Sequence, residues 1–577
     1  MAGPDRGGHA GGPAPGGPPP RAGRADRLSL RSPRGPLRRG HRSQAASRVQ
    51  GHTPGADRYV EREPGNDRDA CFRPGRAPGF RRRLTQSVSN PTKHVVIVGG
   101  GIAGLATAFA LQERAVEQGV SMRCTVLEEA SEWGGKILTR RVGDLLIEAG
   151  PDSFLSQKPW GLELCAKLGL SDQLINTNEA NKKTFVYSRG RLRELPEGLV
   201  VLVPTKLGPL LRSGLISKPG LLRMGLDLLL PARRSDEDET LGAFFRRRVG
   251  REAFERLIEP LMAGIYAGDA EQMSLRATFP RFAELERAHG GLIRGMLAVR
   301  PGTGAAGGRL GPSRSMFVTL REGLGEMVRA LRARVEKEGA ALQTKRRVEA
   351  IRVRSGQPGI WTHDLILHEG PPLAADAVVL ATPAFVSAEL VRPLSPSAGE
   401  LLARIPYAST ATVSLAYDAA QVRHAVNGFG FVVPRVEARA LLAATWSSLK
   451  WSYRAPASQT LVRCYLGGVG REETLRGDDA TIVRRVREDL ARMAGLRAEP
   501  AYTEVHRWER GMPQYVLGHL ERLDAITTSL SAYPGLFLTG AAYRGIGIPD
   551  CIRDGSETAT LVIRYLTGGR VGTAKRA

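Results

Sequence analysis

One stretch near residue 100 decides the fold: His94-Val-Val-Ile-Val-Gly-Gly-Gly-Ile-Ala-Gly104. Its first part, His94–Val98, is a short apolar run rich in β-branched residues, which is typical of a buried parallel strand. The glycine turn follows at once, and the residues from Leu105 to about Val116 favour a helix. A second apolar run, Arg123–Leu127, ends at Glu128. The order of strand, glycine turn, helix, strand and acid predicts a Rossmann-like dinucleotide-binding unit.

The glycines of this turn have separate roles in such a unit. Gly99 permits the tight turn, Gly101 lets backbone N–H groups approach a pyrophosphate, and Gly104 lets the helix lie close to the strand. The N-terminus of the helix adds unpaired donors and the positive end of its dipole. Glu128 lies 24 residues after Gly104, where it can accept hydrogen bonds from a ribose. A chance glycine turn is the alternative interpretation.

Further glycine turns favour a flavin over a nicotinamide. Gly134-Gly-Lys136 follows the predicted ribose acid and adds a second backbone approach to a pyrophosphate. Near the other end, Gly535–Gly540 is typical of a strand and a tight turn, and Gly545-Ile-Gly-Ile-Pro-Asp550 leads into a predicted helix from Cys551 to about Leu566. The N-terminus of that helix could receive the polar edge of a flavin ring.

Composition separates the first 93 residues from the rest. The chain has 577 residues and a net charge of +25. Residues 1–93 hold 19 Lys+Arg and 7 Asp+Glu, so they contribute +12, and they contain 15 Gly and 13 Pro. Such a segment buries too little apolar surface to offset its ordering entropy, which predicts a disordered basic arm. An unselected tail, a binder of nucleic acid or anionic lipid, and a transit peptide are alternative interpretations of this arm; no nucleic-acid partner is expected.

The cysteines and the start of the chain give an indication of the cellular compartment of the protein. The five cysteines, Cys71, Cys124, Cys165, Cys464 and Cys551, are scattered and form no C-x-x-C, which argues against a disulfide scaffold or a zinc ribbon. Near the start we find no apolar core of about 7–15 residues, so we predict no secretory signal. These features favour a cytoplasmic location and no bound metal.

Four stretches beyond the generic glycines resemble a known family. They are Gly150-Pro-Asp-Ser-Phe154, the block from Thr240 to Asp269, Met512-Pro-Gln-Tyr515 with Gly518-His519, and Gly545-Ile-Gly-Ile-Pro-Asp-Cys551. With them, residues 94–566 resemble the oxygen-dependent porphyrinogen oxidases of haem biosynthesis, within the flavin amine-oxidase superfamily. The similarity points to the Gram-positive bacterial coproporphyrinogen III oxidases. Residues 1–93 lie outside the resemblance.

The resemblance implies a non-covalently bound FAD. The positions that match cofactor-contacting residues of the family are Gly99, Gly100, Gly101, Ile102, Ala103, Gly104, Glu128, Glu129, Gly134, Gly135, Lys136, Gly150, Pro151, Asp152, Ser153, Val348, Trp508, Ile546, Gly547 and Ile548. The first turn would hold the pyrophosphate, and Glu128 with Glu129 and the backbone of Val348 would contact the adenosine end. The remaining positions would lie along the phosphates and the flavin.

The resemblance also implies an interleaved α/β architecture. The FAD-binding domain would comprise 94–155, 321–390 and 511–566. An α+β substrate domain would take its parts from 156–320 and 391–510, between the disordered arm 1–93 and a tail at 567–577. Within it, Leu199–Leu230 is rich in Leu, Gly and Pro and is interrupted by cations, so it does not span a membrane. It is either a helical, membrane-facing region on the inner face of the cytoplasmic membrane or a set of amphipathic core helices.

The implied reaction is a six-electron oxidation. A porphyrinogen loses six electrons and six protons to become a porphyrin, so a flavin that accepts two electrons at a time needs three cycles. The resemblance implies that oxygen reoxidises the flavin and yields hydrogen peroxide, and a haem-pathway chelatase is a candidate downstream partner. Propionates are anionic at neutral pH, which predicts an apolar cavity rimmed by cations. No catalytic base could be assigned.

Three side chains are candidate substrate contacts. Lys158 matches a lysine of the bacterial type and would meet a propionate or the reacting edge; otherwise it is a solvated surface lysine. Tyr266 would line the cavity beside the flavin; otherwise it is a core aromatic. Lys450, between Trp446 and Trp451, is a third candidate, as a cation at the rim.

One departure bears on the substrate. Eukaryotic-type protoporphyrinogen oxidases resemble this chain but place an arginine near the position of Thr184. The difference favours coproporphyrinogen III over protoporphyrinogen IX. Two further classes of function stay open: an FAD-dependent amine or carotenoid oxidoreductase, which would share both ends of the chain but not the block from Thr240 to Asp269, and a non-enzymatic binder of lipid or nucleic acid.

Overall fold

The computed structural model describes residues 92–196, 199–200, 203–204, 207–298, 314–355, 361–425 and 427–569. Nearly all of the predicted basic arm and most of the predicted C-terminal tail therefore lie outside the described residues. The same holds for parts of the predicted membrane-facing stretch, such as residues 201–202 and 205–206.

The strands of the described part are numbered in chain order. They are β1 (Lys93–Val98), β2 (Met122–Leu127), β3 (Thr139–Val142), β4 (Leu145–Glu148), β5 (Phe154–Leu155), β6 (Leu174–Asn176), β7 (Thr184–Ser188), β8 (Arg191–Glu194), β9 (Leu199–Val200), β10 (Val203–Pro204), β11 (Phe317–Leu320), β12 (Ala341–Gln343), β13 (Val348–Ser355), β14 (Trp361–Leu367), β15 (Leu373–Ala375), β16 (Ala377–Leu380), β17 (Tyr407–Asp418), β18 (Gly430–Val432), β19 (Leu441–Trp446), β20 (Gln459–Gly467), β21 (Tyr502–Pro513) and β22 (Leu536–Leu538).

The α-helices follow the same numbering. They are α1 (Ile102–Glu117), α2 (Pro159–Lys167), α3 (Leu207–Ser213), α4 (Lys218–Gly225), α5 (Leu241–Val249), α6 (Arg251–Ala253), α7 (Glu259–Tyr266), α8 (Leu275–Thr278), α9 (Pro280–His289), α10 (Leu292–Ala298), α11 (Gly325–Lys337), α12 (Ala384–Val391), α13 (Pro396–Ala403), α14 (Ala419–Val422), α15 (Ser447–Lys450), α16 (Asp479–Ala494), α17 (His519–Leu530) and α18 (Ile548–Leu566).

A five-stranded parallel sheet forms the centre of the fold. Its order is β12-β2-β1-β16-β22, and every neighbouring pair is parallel. Since helices or a second sheet cover both faces of such a sheet, its strands are continuous apolar runs, as β1 is. Along β1, Val95 and Ile97 pack with α1, α11 and α18, whereas Val96 and Val98 pack with α12, α13 and α17. This sheet confirms the predicted α/β architecture.

Two further regions adjoin the parallel sheet. A seven-stranded sheet has the order β21-β17-β20-β19-β18-β7-β8, and α16 packs on it. Helices α3–α5 and α7–α10 enclose a separate apolar core that includes Phe244, Phe245 and Phe282. The seven-stranded sheet thus takes strands from both segments that the sequence analysis assigned to the substrate domain.

The predicted elements differ from the observed ones mainly at their ends. Helix α1 begins at Ile102 rather than Leu105, and α18 begins at Ile548 rather than Cys551. Strand β21 runs from Tyr502 to Pro513 and so crosses the predicted boundary between residues 510 and 511. The positions of the domain boundaries stay predictions.

Candidate cofactor and substrate site

The first glycine turn has the geometry that its sequence predicts. Gly99 has a φ of +111°, which favours glycine, and its N–H donates to the carbonyl of Leu127 at 2.7 Å. A Cβ on Gly104 would lie 1.9 Å from the carbonyl oxygen of Gly99, so the helix approaches the strand too closely for a side chain. A Cβ on Gly101 would meet no atom within 4 Å. The space above Gly101 therefore fits a phosphate that approaches bare backbone.

The second glycine pair lies directly beside the first turn. The N–H of Gly134 donates to the carbonyl of Gly100 at 2.9 Å, and Gly101 and Gly134 form a parallel bridge. A Cβ on Gly135 would lie 3.4 Å from the Cα of Gly101 and near no other atom. The two turns thus form one backbone surface without side chains, as a pyrophosphate requires.

Glu128 lies at the edge of this surface. Its carboxylate accepts hydrogen bonds from the N–H of Gly100 at 2.6 Å and the N–H of Ala130 at 2.9 Å. Each oxygen keeps a further lone pair with which to accept from a ribose hydroxyl. The neighbouring Glu129 is exposed and lies 3.7 Å from a guanidinium nitrogen of Arg347.

The structure also brings Val348 to this edge. The N–H of Arg346 donates to the carbonyl of Glu128 at 2.8 Å, so the chain that leads to Val348 runs beside the ribose acid. Val348 itself is buried at the start of β13. The predicted adenosine contacts Glu128 and Val348 therefore lie close together although 220 residues separate them.

Lys136 is a partly buried cation. Burial lowers the pKa of its ammonium, and Nζ lies 6.0 Å from the centre of the Tyr407 ring. Within the described part of the chain, Nζ has no hydrogen-bond or ion-pair partner. A partly desolvated cation gains from a nearby counter-ion, so an anionic group of a bound cofactor would stabilise it.

The turn after β4 lies against both Lys136 and β21. A Cβ on Gly150 would lie 1.7 Å from the carbonyl oxygen of Lys136. The carbonyl of Ala149 accepts from Trp508 Nε1 at 2.9 Å, Thr412 Oγ1 at 2.9 Å and Arg463 at 3.1 Å. The predicted flavin contacts Gly150 and Trp508 are thus adjacent, and Arg463 holds their turn.

Asp152, in the same turn, pairs with Lys450. Its carboxylate accepts from Lys450 Nζ and from Trp451 Nε1, each at 3.2 Å, and from Ser153 Oγ at 2.7 Å. Burial alone would raise the pKa of Asp152, but the positive charges of Lys450 and Arg463 and these hydrogen bonds hold it well below its usual range. Lys450 is only 16% exposed, so its charge is directed at Asp152.

The C-terminal turn reaches the first glycine turn from the other side. A Cβ on Gly555 would lie 2.8 Å from the carbonyl oxygen of Ala103, so α18 crosses α1 at close range. One on Gly540 would lie 3.8 Å from the Cβ of Ala103. The predicted flavin contacts Ile546–Ile548 therefore lie on a turn and helix end that pack on α1.

Lys158 and Tyr266 both lie near Asp550, in the first turn of α18. Lys158 Nζ is 2.5 Å from Asp550 Oδ2, and the lysine side chain is 40% exposed while that of Asp550 is 8% exposed. Tyr266 is buried and donates to the carbonyl of Thr278 at 3.4 Å. Burial and the charge of Asp550 raise the pKa of Tyr266, so its phenol stays protonated. Lys450 does not join this group.

Sequence reasoning missed several residues of the site. The motifs that carry the family resemblance contain Asp550, Gln514 and Tyr515, but the sequence alone indicates no role for these three residues. Arg463 lies in an ordinary apolar strand and gave no signal. Among the described residues, no group of three or more His, Cys, Asp or Glu side chains could hold a metal.

This arrangement of a parallel sheet and paired glycine turns defines a dinucleotide-binding oxidoreductase. The family model for flavin-containing amine oxidoreductases matches residues 102–563. The chain therefore belongs to the flavin-containing amine oxidoreductase family, and FAD is its cofactor.

Several curated relatives are similar over most of the chain. Coproporphyrinogen III oxidase of Bacillus subtilis (strain 168) is 38% identical over 83% of this chain and 100% of its own length. Chloroplastic protoporphyrinogen oxidase of Oryza sativa is 32% identical over 82% of this chain and 88% of its own. A solved structure from Exiguobacterium sp. 255-15 is 32% identical with a TM-score of 0.71, over 82% of this chain and 99% of its own. These matches confirm the resemblance that the motifs indicated.

Proposed function

We propose that this chain oxidises coproporphyrinogen III to coproporphyrin III in haem biosynthesis, with oxygen as the acceptor. The reaction removes six electrons and six protons from the macrocycle and converts three molecules of oxygen into three of hydrogen peroxide. The observation that carries the proposal is the match to the Bacillus subtilis coproporphyrinogen III oxidase, which covers that relative completely at 38% identity.

The cofactor part of the proposal rests on the glycine surface. Bound FAD supplies the acceptor for a hydride equivalent. The bare backbone of Gly101 and Gly135 would bind its pyrophosphate, and Glu128 would accept from its ribose. The partly buried ammonium of Lys136 would neutralise an anionic part of the cofactor, since nothing else in the described residues pairs with it. These features together fit one elongated, anionic dinucleotide.

The substrate part of the proposal rests on the group around Asp550. Lys158 is half-exposed, so a propionate carboxylate could reach Nζ while Asp550 holds the ammonium from its buried side. Tyr266 would present an aromatic face and remain neutral because burial raises its pKa. Lys450 would act on the substrate only indirectly, because Asp152 already binds its ammonium.

Protoporphyrinogen IX is the second candidate substrate. Similarity to a plant protoporphyrinogen oxidase favours it, because the rice protein is 32% identical over 82% of this chain. Against it, Thr184 stands where that type would carry an arginine, so one contact to a two-propionate macrocycle would be missing.

Anaerobic mixing tests the function and the substrate together. The FAD-loaded protein is mixed with each porphyrinogen without oxygen, and flavin absorption is followed. We expect coproporphyrinogen III to bleach the flavin and protoporphyrinogen IX to do so much more slowly. If neither bleaches the flavin, the porphyrinogen assignment is wrong; the reverse order of rates would make protoporphyrinogen IX the substrate.

A pair of lysine variants tests the substrate contact. Lys158→Ala should raise KM for coproporphyrinogen III about tenfold or more, because a charge-assisted hydrogen bond contributes roughly 1.5–3 kcal/mol. Lys167→Ala is the matched control, since Lys167 is an exposed lysine that pairs with Glu113 on the surface. Equal KM values for both variants would remove Lys158 from the substrate site.

We also propose that the protein contacts a membrane from one side. Among the described residues, no helix combines the length and apolar character that crossing a bilayer requires. Helix α4 and the turn after it nevertheless expose Leu222 and Leu229, at 74% and 78%. Vesicles of phosphatidylglycerol should retain the full chain and release a Leu222→Ser, Leu229→Ser variant. Equal retention of both proteins would show that Leu222 and Leu229 do not bind the membrane.

A further inference from the structure

The end of β21 and the residues after it touch three separate segments of the candidate site. Trp508 Nε1 donates to the carbonyl of Ala149 at 2.9 Å, and Gln514 Nε2 donates to the carbonyl of Tyr266 at 3.0 Å. Tyr515 reaches the turn between β22 and α18. One short stretch of chain therefore organises the segments that the cofactor and substrate would meet.

The phenol of Tyr515 bridges that turn. Its hydroxyl donates to the carbonyl of Ala541 at 2.7 Å and accepts from the N–H of Gly545 at 2.8 Å. Gly545 has a φ of +131°, and a Cβ there would lie 2.5 Å from the Cβ of Asp550. The turn is thus tight. The Tyr515 hydroxyl links its two ends, Ala541 and Gly545, directly before Ile546.

The ring of Tyr515 is held in place independently of its hydroxyl. It stacks on the imidazole of His519 with centroids 4.1 Å apart and an interplanar angle of 13°. Burial lowers the pKa of His519 to about 4, so the ring is neutral and Nε2–H donates to the carbonyl of Tyr543 at 3.0 Å. The backbone carbonyl of Tyr515 accepts from the N–H of Ser274 at 2.8 Å. A phenylalanine would keep the stacking, so the hydroxyl serves the turn alone.

We propose that Tyr515 is a positioning residue for the flavin. Its hydroxyl fixes the turn from Ala541 to Gly545 and so sets where the backbone of Ile546 and Gly547 meets the flavin ring. The inference rests on the cofactor site of the proposed function and does not depend on which substrate is oxidised.

The test compares Tyr515→Phe with Tyr417→Phe in the full chain. Tyr417 is an equally buried tyrosine in the core of the seven-stranded sheet, away from the cofactor segments. For Tyr515→Phe we expect the Kd for FAD to rise about tenfold, because two hydrogen bonds to the turn are lost. We also expect a shifted visible spectrum of the bound flavin and a smaller gain in Tm when FAD is added. Tyr417→Phe should change none of these three quantities.

A purely structural role predicts a different result. Tyr515→Phe would then lower the Tm of apoprotein and FAD-loaded protein equally and leave the Kd and the flavin spectrum unchanged, which would overturn the inference. If Tyr515→Phe does not fold, 3-fluorotyrosine at position 515 keeps the shape but makes the hydroxyl a stronger donor and a weaker acceptor. An altered flavin spectrum would then support the inference, and an unaltered one would overturn it. None of the three readouts uses a porphyrinogen, so failure of the anaerobic mixing experiment leaves this test intact.

Discussion

Replacing Gly101 with alanine should separate cofactor binding from folding. Gly101 caps α1 with φ −72° and ψ 178°, an extended conformation that alanine adopts without strain. A Cβ there would meet no protein atom within 4 Å. The apoprotein should therefore fold as before, with a free energy of unfolding changed by less than about 1 kcal/mol, because the restricted unfolded chain offsets the poorer N-cap that alanine makes.

The same methyl group would occupy the space that a pyrophosphate needs. If the phosphate must retreat by about the radius of a methyl group, two backbone hydrogen bonds to it are lost, each worth roughly 1.5 kcal/mol when charge-assisted. The Kd for FAD should then rise about 100-fold. Gly104→Ala should behave differently, since its Cβ would lie 1.9 Å from the carbonyl oxygen of Gly99 and the fold itself must shift.

Two measurements on the same samples check this prediction. Urea unfolding of the apoproteins followed by circular dichroism gives the free energy of unfolding, and quenching of flavin fluorescence gives the Kd for FAD. Gly225→Ala is the control, because Gly225 also has ordinary backbone angles and open space but lies in α4, outside the cofactor segments. A Gly101→Ala protein that binds FAD as tightly as the control would refute the placement of the pyrophosphate.

Three further predictions concern charge. His363 and His519 are buried and neutral, with pKa values lowered by burial to about 4, so the unfolded chain binds protons first and stability falls as pH drops from about 6.5 towards 4. Between pH 7 and pH 5, protonation of each histidine in the unfolded chain should lower the free energy of unfolding by roughly 2 kcal/mol. Replacing either histidine with leucine should remove that histidine's part of the pH dependence, which urea unfolding at several pH values measures. Glu128→Ala should weaken FAD retention with little loss of fold; unchanged flavin content after gel filtration would argue against the ribose contact. Arg248→Met should lower the free energy of unfolding by about 3–5 kcal/mol, because it leaves the fully buried Asp227 carboxylate unpaired, whereas adding Asp227→Leu should restore part of the loss.

The parts of the fold that could be predicted are those whose causes lie close together in the sequence. The turn from Gly99 to Gly104 needs only an apolar strand before it, a helix after it and glycines between them. Such local conditions are readable from residue types, so β1, α1 and β2 were placed to within about three residues. The family resemblance added Gly150 and Ile546–Ile548 as expected cofactor contacts.

The parts that could not be predicted depend on distant partners. Asp152 binds Lys450 across 298 residues, and Lys158 binds Asp550 across 392 residues. Nothing in the local sequence of either lysine indicates which carboxylate it will meet. The prediction of Lys450 as a cation at the rim did not include its pairing with Asp152, and the roles of Arg463 and Tyr515 became visible only from their hydrogen bonds.

The order of strands in the central sheet constrains how the protein is made. Its strands come from residues 93–127, 341–380 and 536–538, and α18, which packs on α1, ends at Leu566. A ribosome must therefore synthesise the chain as far as β22 before the sheet gains this strand, and as far as α18 before α1 gains this covering helix. Until then the face of α1 that α18 covers stays exposed in the nascent chain, so flavin uptake should follow synthesis of α18, and chaperones should protect the long intermediate.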